Sequence, residues 1–162
     1  MNTIKLHDKT FSRSITNEEI CKEIKRVADE INRDYAGKRP VLLRVLNGCF
    51  MFAAELLKNL DIECEISFVK LSSYQGTNST GVVREVLGLT ESIAGRDVII
   101  IEDIVDTGYT MQNMLETLGA KEPASVAIAS LFVKPSRLKV PVDVKYPVFT
   151  IKLFNPTSFD FS

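Results

Sequence analysis

Histidine is nearly absent: His7, in a polar stretch near the start, is the only one among 162 residues. One imidazole excludes zinc sites built from histidine clusters and weighs against a Ser-His-Asp triad, so acid and base work falls to carboxylates. Cysteine is scarce too. Cys21, Cys49 and Cys64 are odd in number, form no Cys-x-x-Cys pair and sit in apolar patterns, as reduced core thiols of a cytoplasmic protein would. No apolar run approaches the roughly 20 residues needed to span a bilayer, and residues 1–14 have no signal-peptide core, so a soluble, unprocessed, cytoplasmic chain is expected. Excess charge is missing as well: 20 basic against 21 acidic side chains give a formal net charge of -1, which favours neither a nucleic-acid nor a membrane surface. No internal repeat or low-complexity segment interrupts the chain, whose length suits a single domain over residues 1–162.

What the chain does have is an alternation of short β-branched runs and helical stripes. Thr16-Asn17-Glu18-Glu19 fits a capping box, and Ile20, Ile24, Val27, Ala28 and Ile31 recur at helical steps to an end near Tyr35-Ala36-Gly37. After Pro40, Val41 to Leu46 reads as a strand closed by Asn47-Gly48, with Phe50, Ala53, Ala54, Leu57 and Leu60 on a following helix. Ile62 to Leu71 reads as another strand. Ser72 to Arg84 is long, polar and glycine-bearing, a lid or the tip of a hairpin returning at Val83 to Leu89. Ser125 to Val133 is a buried strand, and Val142 to Tyr146 adds one more. Such an order predicts an α/β domain with a mostly parallel sheet, binding its ligand where the strand ends at Leu46, Leu71, Asp103 and Val133 converge.

The densest chemistry lies in Val98 to Thr110. Val98-Ile99-Ile100-Ile101 is too short for a buried helix and too branched to prefer one, so a strand covered on both faces is expected. Glu102, Asp103 and Asp106 follow, then Thr107-Gly108-Tyr109-Thr110 at the mouth of a helix carrying Met111, Met114, Leu115 and Leu118, with Gly119 placed to stop it. Backbone N–H groups at such a mouth hold an anion, and carboxylates beside it hold a cation or sugar hydroxyls. Asp106 or Thr107 could instead be a plain N-cap. Three carboxylates in five residues exceed what a cap requires, so a positive group should stand nearby.

Glu102-Asp103-Ile104-Val105-Asp106-Thr107-Gly108-Tyr109-Thr110 resembles the phosphoribosyl-pyrophosphate motif of type I phosphoribosyltransferases, in the form seen in bacterial hypoxanthine-guanine members. Leu46-Asn47-Gly48, Ser73-Tyr74 and Lys134 extend the resemblance over roughly residues 40–146. It implies a Rossmann-like sheet flanked by helices, a small hood and a flexible active-site loop. It also implies the reaction: hypoxanthine or guanine displaces pyrophosphate from phosphoribosyl pyrophosphate to give IMP or GMP, with Mg²⁺ as cofactor, in a homodimer or homotetramer. Carried onto this sequence, Asp106 is the catalytic base at purine N7. Thr107, Gly108, Tyr109 and Thr110 hold the 5′-phosphate, and Glu102 and Asp103 meet the ribose hydroxyls and the metal. Lys134 donates to the purine 6-oxo group, Leu46, Asn47 and Gly48 bind pyrophosphate, and Ser73 and Tyr74 close over the reacting centre.

Residues 147–162 depart from that family, which continues with a Val-Gly-Tyr-x-Leu-Asp-Tyr pattern and an arginine for pyrophosphate. The expectation is a truncated or frame-shifted end, with an intact sugar-phosphate half, an altered base-binding half and reduced activity. Two other readings compete. Asp106-Thr107-Gly108 is also the triplet of aspartic proteases, which are largely β and need two such aspartates, whereas this chain has one. A regulatory relative that senses phosphoribosyl pyrophosphate or nucleotide and binds RNA would need a basic face that the charge balance does not supply.

Overall fold

In the computed structural model, residues 3–6, 9–12, 15–46, 48, 50–73, 83–155 and 158–161 are described, with side chains for 15–46, 48, 50–71 and 88–152. The elements run β1 (Thr3–Leu6), β2 (Lys9–Ser12), α1 (Asn17–Asp34), β3 (Val41–Val45), α2 (Phe50–Lys58), β4 (Glu65–Ser73), β5 (Val83–Leu87), β6 (Asp97–Val105), α3 (Tyr109–Gly119), β7 (Ser125–Val133), β8 (Tyr146–Asn155) and β9 (Ser158–Phe161). Five strands lie parallel in the order β4-β3-β6-β7-β8, edged by antiparallel β5 and β9, while β1 and β2 form a two-stranded sheet of their own.

Helices cover both faces of the parallel strands, which is why their sequences read as unbroken apolar runs. Along β6, Ile99 and Ile101 pack with Ile24, Val27, Ala28 and Ile31 of α1 and Phe52 and Leu56 of α2. Val98 and Ile100 face the other way, onto Met111, Met114 and Leu118 of α3. One strand thus anchors two cores, and its C-terminal end sits between both helical layers.

The start of α1 is the capping box its sequence calls for: Thr16 Oγ1 accepts from Glu19 N at 3.1 Å and Glu19 Oε2 accepts from Thr16 N at 2.9 Å. Thr16→Ala should lower unfolding free energy by about 1 kcal/mol, measured by urea titration, with turnover unchanged; no loss of stability would show the cap to be dispensable.

Several features differ from the sequence expectation. α2 ends at Lys58, short of Leu60, and it buries Phe52, Ala53 and Leu56, while Phe50 and Ala54 are exposed. β4 begins at Glu65 rather than Ile62, because its ladder starts opposite Val41, the first residue past Pro40, with Glu65 N bonded to Pro40 O at 3.0 Å. Val142 to Val144 is not strand. The alternating Val140, Val142 and Val144 pack against Gly108 and the α3-side core, and β8 begins at Tyr146 opposite Ala129. Gly119 stays inside α3, and the chain reverses at Glu122 in the left-handed region, φ 55°. β4 and β5 do pair as a hairpin, Ser73 opposite Val83; the centre of the expected lid, residues 74–82, lies outside the described residues.

Cys21 and Cys64 are free, and burial pushes the Cys64 thiol up; Cys49 lies outside the described residues. Among the described residues no helix is long and apolar enough to cross a membrane.

Candidate active site

The C-terminal end of β6 carries the site. After Ile101 the strand continues through Glu102 and Asp103 to Val105, held by β7 in parallel register from Asp97↔Ser125 to Val105↔Val133. The chain then turns through Asp106 and Thr107 into α3. Neither is the N-cap. Gly108 takes that position at φ 90°, with no side chain bonded to the first turn, so the open N–H groups of the helix mouth are left to other acceptors.

Glycine is required at 108 for two reasons. The left-handed backbone disfavours any Cβ. A Cβ placed there would also stand 3.0 Å from Val142 Cγ2, 3.1 Å from Leu138 Cδ2 and 3.2 Å from Val140 Cγ2. Residues 134–142 back the turn with main-chain bonds as well, Lys134 N to Val105 O at 3.0 Å and Lys139 N to Thr107 O at 2.8 Å. The result is a cavity of about 270 Å³ lined by Glu102, Asp106, Thr107, Gly108 and Thr110, with Ile104, Val105 and Met111 as its apolar wall.

Charges arrive from two arginines that no motif announced. Arg137, in a 3₁₀ turn over Pro135–Arg137, donates from Nε to Asp106 Oδ1 at 2.5 Å. Arg44, the fourth residue of β3, is buried, and its Nη2 donates to Gly48 O at 2.8 Å. The surplus of carboxylates was the signal for a positive partner; its address was not in the sequence, because both arginines come from distant segments. Burial pushes the Glu102 carboxyl above the usual carboxylate range, and the Asp103 charge acts the same way. The backbone N–H groups of Asp103 and Ile104 and the Arg44 charge oppose them.

The remaining sequence candidates are placed as follows. Gly48 presses on the second carboxylate: a Cβ at Gly48 would stand 2.5 Å from Asp103 Oδ2. Leu46 donates its N–H to Val69 O at 2.7 Å, which pins the β3–α2 turn to β4. Tyr109 is half-exposed and Lys134 half-buried, its backbone at the foot of the turn. The structure therefore brings Gly48, Glu102, Asp103, Asp106, Thr107, Gly108 and Thr110 to one edge of the sheet. Ser73 is described by its backbone alone, at the end of β4, and Asn47 and Tyr74 lie outside the described residues. An aspartic-protease reading of Asp106-Thr107-Gly108 fails, since the triplet ends a parallel strand and opens a helix.

Comparison with known proteins agrees with this geometry. A family described as phosphoribosyl transferase domain matches residues 13–161. A hypoxanthine-guanine phosphoribosyltransferase of Streptococcus pneumoniae is 40% identical over 138 residues, 85% of this chain and 77% of that one. One from Streptococcus agalactiae is 41% identical over 137 residues, covering 84% and 76%. Among solved structures, a Bacillus anthracis hypoxanthine-guanine phosphoribosyltransferase superposes with a TM-score of 0.77 at 32% identity, covering 87% of this chain and 84% of that one. A Trypanosoma cruzi hypoxanthine phosphoribosyl transferase reaches 0.79 at 31% identity, covering 91% and 82%.

Proposed function

Since the chain belongs to the phosphoribosyl transferase family and is a purine-salvage enzyme of that family, we propose that it transfers the 5-phosphoribosyl group of phosphoribosyl pyrophosphate to hypoxanthine or guanine, giving IMP or GMP and pyrophosphate. The observation that carries this reading is the cavity in which Glu102, Asp106, Thr107, Gly108 and Thr110 meet at the uncapped mouth of α3. An anion is favoured there by the helix dipole and free N–H groups, with no lysine needed.

In this reading the 5′-phosphate sits against Thr107 to Thr110, and Glu102 and Asp103 take the ribose hydroxyls, orienting a sugar that gains positive charge as the C1–O bond to pyrophosphate breaks. Asp106 takes the proton from purine N7 as the base attacks C1, and Arg137 holds its carboxylate in place. Lys134 donates to the 6-oxo group. An exocyclic amine at that position could not accept this bond, so adenine should be excluded. The roles of Leu46, Asn47, Gly48, Ser73 and Tyr74 follow the motif resemblance.

Glu102 and Asp103 fit Mg²⁺: they are adjacent hard oxygen donors, one of them crowded by burial and by its neighbour's charge, which a cation would relieve. The ion would add charge neutralisation on the pyrophosphate. Homodimer or homotetramer assembly belongs to the same reading. Phe50, Met51, Ile66 and Phe68 are exposed on neighbouring surface, with the Phe50 and Phe68 rings 6.5 Å apart.

The test is turnover with phosphoribosyl pyrophosphate, Mg²⁺ and each of hypoxanthine, guanine, xanthine and adenine, followed by nucleotide formation. Product is expected with hypoxanthine or guanine and none with adenine. No nucleotide with any base would overturn the reading, and removal of Mg²⁺ by chelation should abolish the product.

A further inference from the structure

Arg44 stands where an apolar residue would be expected. It is the penultimate residue of the interior strand β3, opposite Ile101 on one side and Phe68 on the other, two residues beyond fully buried Leu42 on the same face. Its side chain is enclosed, at 4% exposure. Nη2 is satisfied by the Gly48 carbonyl at 2.8 Å, yet Nη1 is buried and has no hydrogen-bond partner among the described residues. The ring of Phe50 lies over the guanidinium, 3.9 Å from its carbon to the ring centroid, although Phe50 is itself 63% exposed. An apolar side chain of similar volume would fill this place without a stranded donor, and buried polar groups left unpaired are destabilising. Stability alone does not explain the residue.

Its surroundings do. The carbonyl it holds belongs to Gly48, the glycine packed on Asp103 Oδ2 in the β3–α2 turn, and its charge reaches Glu102. We propose that Arg44 is a positioning residue for the pyrophosphate side of the site. It ties the Gly48 carbonyl inward, and it keeps a fixed positive charge beneath the diphosphate, with Nη1 as a donor in reserve. This rests on the reading of Leu46-Asn47-Gly48 as the pyrophosphate turn. Phe50 acts as a cover, holding the planar cation flat by a cation–π contact while excluding water from it.

The test compares wild type, Arg44→Met, Arg44→Lys and Gly48→Ala in the forward reaction, in reverse from IMP, and by calorimetric titration of pyrophosphate with Mg²⁺. Arg44→Met should raise KM for phosphoribosyl pyrophosphate and Kd for pyrophosphate by roughly tenfold to a hundredfold, the weight of one lost charge-assisted hydrogen bond. The purine KM should stay within about twofold, because the base lies on the Asp106 side. Arg44→Lys should recover part of the loss, since it restores charge without the planar fork. A drop in melting temperature with unchanged pyrophosphate affinity would make Arg44 merely structural and overturn the proposal. If Gly48→Ala weakens pyrophosphate and Arg44→Met does not, the inference falls alone; if neither does, the assignment of the turn falls with it.

Discussion

Asp106→Ala should lower kcat for nucleotide formation by about 10²- to 10⁴-fold, the range for removing a positioned general base. The Kd for phosphoribosyl pyrophosphate should change by no more than about threefold, because the phosphate cradle of Thr107 to Thr110 is main-chain and hydroxyl in character. Asp106 borders the cavity and is fixed by Arg137 Nε at 2.5 Å. Alanine would remove the proton acceptor and release the arginine together, so Asp106→Asn is the informative partner variant: its amide oxygen can still accept from Arg137 but cannot take a proton at neutral pH. If the carboxylate acts as base, Asn should be about as slow as Ala. If its task is only to seat Arg137, Asn should keep most of the activity. Single-turnover rates with equilibrium binding of phosphoribosyl pyrophosphate separate the two, and an equal loss of rate and binding would contradict the role of base.

Gly108→Val should be the most damaging single substitution for stability. Holding a side chain in the left-handed region costs about 1–2 kcal/mol, and forcing carbon into packed space typically adds about 1–3 kcal/mol. Here that space is bounded by Leu138, Val140 and Val142, each within 3.0 to 3.2 Å of the added Cβ. A branched residue makes both terms worse. A fall in melting temperature of about 5–15 °C is expected, taking about 2–4 °C per kcal/mol for a domain near this size. Gly108→Ala, with the same backbone strain but fewer atoms, should fall between the two. Anion binding should suffer as well, since the segment over residues 134–142 that braces the turn would be pushed off it. A Gly108→Val protein that melts with wild type would show that this segment yields freely, and the tightness of the cradle would then not matter.

Much of the architecture could be read from local chemistry. The Thr16–Glu19 capping box, the β-branched run of β6 and the helical spacing of Met111, Met114 and Leu118 each depend on near neighbours in the chain, and each forms as expected. What escaped depends on distant partners. Val140, Val142 and Val144 alternate as a strand does, yet their regularity serves the back of Gly108 and the α3-side core. In the site, the carboxylates and the glycine turn were legible because one stretch of chain holds them. Arg137 and Arg44 were not, since a salt bridge over 31 positions or a buried cation in the run Val-Leu-Leu-Arg-Val leaves no periodic mark. The surplus of negative charge announced that they must exist.

The junction between α1 and β8 has a consequence for how the molecule is made. Arg26 Nη2 donates to Pro147 O and Val148 O at 3.2 and 3.3 Å, and Tyr146 Oη donates to Asp34 Oδ2 at 2.6 Å. Tyr146, Val148 and Phe149 belong to the same core as Ile24, Val27 and Ile31. Arg26 pairs with Glu23 and Glu30 within the helix, but its Nη2 waits for acceptors that begin 121 positions later, on the order of ten seconds of ribosomal synthesis. During that interval the part of the first helix that packs on Tyr146, Val148 and Phe149 has no strand against it. The nine consecutive residues from Glu102 to Thr110 are thus made before the strand that completes the core against the first helix.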